Sequence, residues 1–405
     1  MRIKNVLLAV AVLLSLFSCH ESANEEKPQN DLEVIEIDLS KAREGKLSEF
    51  FEPEIEYIWL NDEEEEGQLN AGLQKILFHE DKILTLDVFG CRCIKIFDRE
   101  SGDYISKIRA YGEGPGKYLD LDGMLVVQDE ILVYGIYPFK LMLFDFEGNL
   151  IHEQKTSINM DSGVYDPESD RFYFYHSTSD TEAFRITGIG RSTHDTTRSL
   201  PIYDGFYYGN HTGRESLIET DQIYLAEAFN DTIRKLEDGK FMPELVFDYG
   251  SYGQELDEYI KLSEELDGLE FMNFINKKAK LYFMPDFPWY VDSFRSYSFF
   301  KYERTAYNIF YNRANAETHV INWQIENDLD HSIDLFGISY HFGNRKTGVK
   351  IPGTELYKIL YEMRDEMSEE EFKEYINGKG KAFAEVAVKA RKSENPVLMV
   401  LTWKK

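Results

Sequence analysis

Three glycines and a lysine in Gly112-x-Gly114-Pro115-Gly116-Lys117 could cradle a phosphate, because glycine lets backbone N–H groups approach an anion closely. A nucleotide loop needs four residues between its outer glycines and a Lys-Ser/Thr pair opening a helix. Here Tyr118 follows Lys117 and no helical pattern comes next, so the segment reads as a turn between strands. Asp120-Leu121-Asp122-Gly123 and Asn327-Asp328-Leu329-Asp330 carry oxygens suited to Ca²⁺ but lack the EF-hand spacing. Both read as acidic turns, with calcium the alternative. The nine histidines include no His-Glu-x-x-His or His-x-His pair; His176 and His341 lie in strand contexts and read as packed or surface residues. No Gly-x-Ser-x-Gly elbow supplies a hydrolase nucleophile. Cys91 and Cys93, two apart, face one side of a strand; buried thiols are expected, a disulfide is the alternative, and no zinc partners follow. No catalytic residue, metal ligand or cofactor is assigned.

Cys19 has clearer chemistry. A basic head, Met1 to Asn5, precedes an apolar run from Val6 to Phe17, too short to cross about 30 Å of hydrocarbon. Leu16-Phe17-Ser18-Cys19 resembles the bacterial lipobox, which implies cleavage before Cys19 and a lipid on its thiol. Residues 1–18 are then a signal peptide, and 19–31 a polar, acid-containing tether with too little apolar content to fold. His20 after the cysteine, rather than Asp, implies by the same resemblance an outer-membrane address, periplasmic or surface-exposed.

The net charge of −28 excludes a nucleic-acid partner, whose phosphates need a basic face, and disfavours acidic polysaccharides. Asp62-Glu63-Glu64-Glu65-Glu66 reads as a solvated loop. The 26 Tyr and 28 Phe suit strands packed on both faces.

The elements that must position any site repeat. Ile94-Lys95-Ile96-Phe97-Asp98 with Ser101-Gly102-Asp103-Tyr104-Ile105 recurs as Leu141-Met142-Leu143-Phe144-Asp145 with Glu147-Gly148-Asn149-Leu150-Ile151. Each is a strand, a turn on Asp and Gly, and a second strand. The step from Ile94 to Leu141 is 47 residues, and Asp145 to Glu237 spans two steps of 46. An all-strand repeat of about 40–50 residues is the mark of a β-propeller blade. Helical spacing replaces it at about 252–280 and about 353–393, where Ser368 and Glu371 form a capping box and Gly378-Lys379-Gly380 breaks the helix. Without these insertions roughly 300 residues remain, six blades of about 50, with seven the neighbouring solution. Further strands are expected at Glu54–Leu60, Ser332–Phe342 and Val397–Trp403. The last should close the ring by pairing with Val34–Leu39.

Tyr111 to Tyr118, Asn230-Asp231-Thr232-Ile233 with Pro243, Val246-Phe247-Asp248-Tyr249-Gly250 and Asn395-Pro396-Val397-Leu398 together resemble the six-bladed β-propeller lipoproteins of Bacteroidetes. The resemblance spans nearly all of residues 32–405. It implies an all-β, six-bladed propeller with two helical insertions, and transfers no catalytic residue. The expected function is a membrane-anchored binding or interaction module for a glycan, peptide or partner protein. The alternative is a metal-dependent propeller hydrolase or lyase at the central funnel. Phe206-Tyr207-Tyr208, Trp289-Tyr290 and Trp323 are candidates to stack on sugars there, although packing between blades is the expected use of them. A third use, partner docking on the helical insertions, predicts an exposed apolar stripe on them.

Overall fold

Lys82–Asp87, Cys93–Asp98 and Phe139–Phe144 are almost wholly buried, as strands flanked by sheets on both faces must be. The outermost strands of two blades, Leu150–Lys155 beside Phe139–Phe144 and Thr196–Pro201 beside Phe184–Gly190, are instead largely exposed. In the computed structural model, which describes residues 32–405 except 71–72, 137–138, 177–183, 202–214 and 255, these strands belong to six sheets of four or five strands. The signal peptide, the Leu16-Phe17-Ser18-Cys19 motif, the tether to residue 31 and Phe206-Tyr207-Tyr208 lie outside the described residues.

The first strand of each blade, in chain order, is Leu73–His79, Gly123–Val127, Ser162–Asp166, Leu217–Glu219, Trp289–Val291 and Tyr340–Gly343. Several of these strands meet one another: Ser162–Asp166 packs beside both Gly123–Val127 and Leu217–Glu219, and Tyr340–Gly343 beside Leu73–His79. They therefore surround the axis. An apolar cluster fills every gap between neighbouring blades. Ile96 meets Met124 between blades one and two, and Tyr134 meets Phe174 between two and three. Tyr175 meets Leu225, and Phe247 meets Phe300, in the next two gaps. Phe310 meets Leu401 between five and six, and Leu398 meets Ile83 where six returns to one. The molecule is an all-β, six-bladed propeller with two helical insertions.

The repeated turns form as the sequence predicts. Asp98 Oδ1 accepts the N–H groups of Glu100 at 3.0 Å and Ser101 at 2.7 Å; Asp145 Oδ1 accepts that of Asn149 at 2.7 Å. Gly102 and Gly148 take φ of +76° and +85°. The first insertion holds helices α1 (Leu256–Glu265) and α2 (Gly268–Lys277), between blades four and five. The second holds α3 (Gly353–Glu366), α4 (Glu369–Asn377) and α5 (Lys381–Lys389), inside blade six. The Ser368–Glu371 capping box opens α4, and Gly378 and Gly380 separate it from α5.

Ring closure differs from the expectation. The last strand, Pro396–Thr402, lies between Lys346–Pro352 and Glu56–Trp59, with Val397 opposite Trp59 and Met399 opposite Tyr57. The upstream strand, Glu33–Glu36, instead extends blade four, and Arg43–Lys46 runs parallel to Glu317–Glu326 on blade five. The N-terminal segment thus crosses the outside of blades four, five and six before entering blade one. Alternating apolarity marks a strand but not its partner; the segment next to blade one in the chain is the one that reaches blade six. Ser332–Phe342 also shortens, to Tyr340–Gly343, because residues 327–334 close into a polar turn.

Candidate functional site

Polar residues on or beside the axial strands of four blades come near one another. Lys75 comes from blade one, Asp166 from blade three, and Tyr340 and His341 from blade six. Glu219 ends the first strand of blade four and Glu215 precedes it. Blades one and four stand opposite in a ring of six, so Lys75 and the two glutamates act on each other across the channel. His341 Nε2 lies 3.2 Å from the Glu219 carbonyl, which makes Nε2 the protonated nitrogen. The His341 ring packs 4.9 Å from that of Tyr290. Lys350 Nζ donates to the Leu73 carbonyl at 3.1 Å and sits over the Tyr340 ring.

Protein surrounds these groups on most sides while water still reaches them: Glu215 and Glu219 keep open surface and Lys75 is half-buried. Burial lowers the Lys75 ammonium pKa, opposed by Glu215 and Glu219. Burial raises the Glu219 carboxyl, opposed by Lys75 and reinforced by Asp166. Burial pushes His341 down to about 4, so its imidazole is neutral at pH 7. The channel offers one ammonium, several carboxylates and a phenol, with the His341 N–H already spent on the Glu219 carbonyl. That set suits a polar ligand with hydroxyl or amine groups and disfavours a polyanion. Among the described residues, no three His, Cys, Asp or Glu side chains gather to hold a metal ion.

A second concavity, a groove of about 910 Å³, lies on the outer rim. Its floor is the outermost strand of blade six, with Tyr57 and Trp59, and α5 forms one wall. The turn at Glu100, Ser101 and Asp103 of blade one forms the other. Trp59 Nε1 donates to Ser393 Oγ at 2.9 Å, and Tyr57 OH to Asp330 Oδ2 at 2.7 Å.

The residues singled out in sequence are mostly structural. Gly112, Gly114 and Gly116 take φ of +142°, +102° and +67°, and the Gly116 N–H donates to Glu153 at 2.5 Å: the loop is a turn. Asp120 pairs with Arg92 at 3.4 Å. Asp328 accepts from Ser48, and Asp330 from Tyr57, Asn327 and Ser332, so protein donors serve these carboxylates. Cys91 and Cys93 form a disulfide with Cα atoms 5.2 Å apart, which corrects the expected pair of thiols: the turn at Arg92 draws the two positions closer than an extended strand would. His176 is buried against Thr187 at 2.8 Å. Trp289 and Tyr290 pack between blades, whereas Trp323 is 52% exposed beside Phe336 on blade five. On the helices, exposed apolar residues occur as Leu269, Tyr361 and Val388. The sequence offered no signal for Lys75, Asp166, Glu215, Glu219 or Tyr340, and His341 read as a packed or surface residue. Convergence across about 265 residues of chain carries no local motif.

No helix among the described residues is long and apolar enough to cross a membrane. A putative exported protein from Bacteroides fragilis NCTC 9343 superposes with a TM-score of 0.69 at 14% identity, covering 92% of this chain and 100% of that one. A member of the DUF4221 family from Bacteroides vulgatus ATCC 8482 aligns at a TM-score of 0.49 and 10% identity, over 87% and 97%. At such identities the likeness concerns the fold alone. None of the curated proteins matches the sequence. The family described as a domain of unknown function, DUF4934, matches residues 32–402. That match spans all six blades and both insertions, and the chain belongs to the DUF4934 family.

Proposed function

We propose that this protein is an outer-membrane-anchored binding module that takes a polar glycan or peptide ligand at the mouth of its axial channel. Lys75 opposite Glu215 and Glu219 is the observation that carries the reading: a cation and two anions from opposite blades, enclosed yet reached by water. Cys19, after Leu16-Phe17-Ser18, is the proposed lipid attachment site, and the exported relative in Bacteroides fragilis agrees with an envelope address. The acidic channel favours amine-bearing or neutral ligands over sulfated or uronic glycans.

The test is a panel of neutral, amino- and uronic-acid oligosaccharides and short peptides, screened by calorimetry against residues 20–405. A neutral or amine-bearing hit should weaken at least tenfold in Lys75→Met and in Glu219→Gln. Unchanged affinity in both variants removes the axial site. Fatty-acid labelling of cells should depend on Cys19, and labelling that persists in Cys19→Ala refutes the anchor.

A second reading, acid–base catalysis at the same place, is favoured by the opposite displacements of Lys75 and Glu219, which bring both pKa values toward neutrality. It predicts turnover of a panel member, lost in Glu219→Gln while binding survives.

A further inference from the structure

The rim groove shares no residue with the axial site, and three features of it point to one kind of occupant. The first is an open strand edge. Glu56–Trp59 ends the sheet of blade six, and the Leu60 N–H donates to the Pro396 carbonyl at 3.1 Å. Hydrogen-bonded and non-hydrogen-bonded pairs alternate along an antiparallel ladder, so Ile58 also bonds toward the last strand. The main-chain groups of Tyr57 and Trp59 therefore point away from it, toward the groove. Gly102 covers the Trp59 carbonyl, leaving the Tyr57 N–H and C=O and the Trp59 N–H as the edge on offer.

The second feature is how this fold treats such edges. Blades four and five each gain a fifth, outer strand from the N-terminal segment, Glu33–Glu36 and Arg43–Lys46. Blades one, two, three and six keep four strands. Blade six is the next one the N-terminal segment reaches after four and five, and the groove lies where a fifth strand would run on it.

The third is charge. On a chain of net charge −28, the groove wall at the end of α5 carries Lys389, Arg391 and Lys392, all exposed. Across from them stand Asp62, Glu63, Glu100 and Asp103. Ala382, Glu385, Val386 and Lys389, at i, i+3, i+4 and i+7, form the face of α5 turned to the groove, while Phe383 and Ala387 pack into the core.

We propose that this groove binds an extended polypeptide segment of a partner protein, which adds as a fifth strand to blade six. The segment sets an acidic side chain against Lys389, Arg391 and Lys392 and a basic one against Asp62, Glu63 and Glu100. Backbone pairing supplies affinity, and the segregated walls select the order of charges along the strand.

The probe is a set of fluorescein-labelled ten-residue peptides of Thr and Val, with Lys at one end and Glu at the other, in both orders, and an uncharged version. Anisotropy is read with residues 20–405. One charge order should bind at least tenfold more tightly than the uncharged peptide. Lys389→Glu with Lys392→Glu should invert the preferred order. N-methylation of alternate amides on one edge of the peptide should abolish binding, and methylation on the other edge should spare it. Equal affinity for all three peptides, or a preference unmoved by charge reversal, overturns the proposal. So does binding that appears only after residues 20–31 are removed, which makes the tether the occupant. A dimer in sedimentation that Lys389→Glu dissolves overturns it as well, in favour of a second copy. Axial ligand binding should be unchanged in the charge-reversed variant, so failure here is separable from failure at the channel.

Discussion

The axial channel and the rim groove solve recognition in opposite ways. The channel gathers few charges from blades one, three, four and six and encloses them, so Lys75, Glu219 and His341 all leave their ordinary pKa values. The groove takes more charges from three short stretches, 59–63, 100–103 and 382–393, and leaves most of them in water. Enclosure raises the cost of each charge and makes protonation state responsive to pH. Exposure subjects every interaction to salt, since fields decay over about 8–10 Å at physiological ionic strength. Binding in the channel should accordingly follow pH, and binding in the groove should follow ionic strength.

The closing strand supports both regions, so removing it should erase the contrast altogether. Deleting residues 398–405 exposes the partners of Leu398, Met399, Val400, Leu401 and Trp403, each at most 2% exposed. At about 2 kcal/mol per buried side chain, the loss rivals the whole stability of a domain, about 5–15 kcal/mol. Calorimetry should find no cooperative transition, and a wild-type melting curve would refute ring closure by this strand.

Acid should separate the two regions next. The unfolded imidazole of His341 takes a proton near pH 6.5, the folded one only near 4. Its contribution to stability is complete above pH 6.5 and is lost as pH falls to 4, by about 3 kcal/mol. Urea unfolding at pH 7 and at pH 4 should therefore show a smaller loss in His341→Gln than in wild type. Equal losses would mean that His341 is not enclosed.

A backbone contact links blade one to the groove floor. A Cβ on Gly102 would collide with the Trp59 carbonyl at a φ of +76°, so Gly102→Ala should cost about 2–3 kcal/mol. Gly114, at φ +102° with open space around it, should lose less on the same change. Equal melting temperatures for the two variants would deny that the turn seals the rim.

The smallest effect should come from Lys389→Glu. Lys389 is exposed at the end of α5, so melting temperature should not move, while binding of the preferred charge order in the groove should weaken and its salt dependence should shrink. A change in stability instead would place Lys389 in the fold and not in recognition.

Much of the scaffold was legible from local chemistry. Asp98 with Gly102 and Asp145 with Gly148 need only a few neighbouring residues to make their turns, so their spacing reports the blade period. The Ser368–Glu371 box and the Gly378–Gly380 break are local in the same sense. The partner of the last strand was not legible: Val34–Leu39 and Glu54–Leu60 both alternate, and only the path of the chain around the rim distinguishes them. Nor was the disulfide, because the spacing of Cys91 and Cys93 sits at the edge of bridging reach and a local turn decides it.

What the amino-acid order determined by itself was the blade: strand, Asp–Gly turn, strand, at a step of 46–47 residues, interrupted twice by helices. Those are short-range consequences of side-chain shape, glycine's freedom at positive φ and hydrophobic period. Only the closed ring decided that Lys75 faces Glu215 and Glu219, or that Trp59 and Lys389 share a groove. These meetings join residues far apart in the chain, and their energies depend on distance and dielectric, which exist only once the blades have packed.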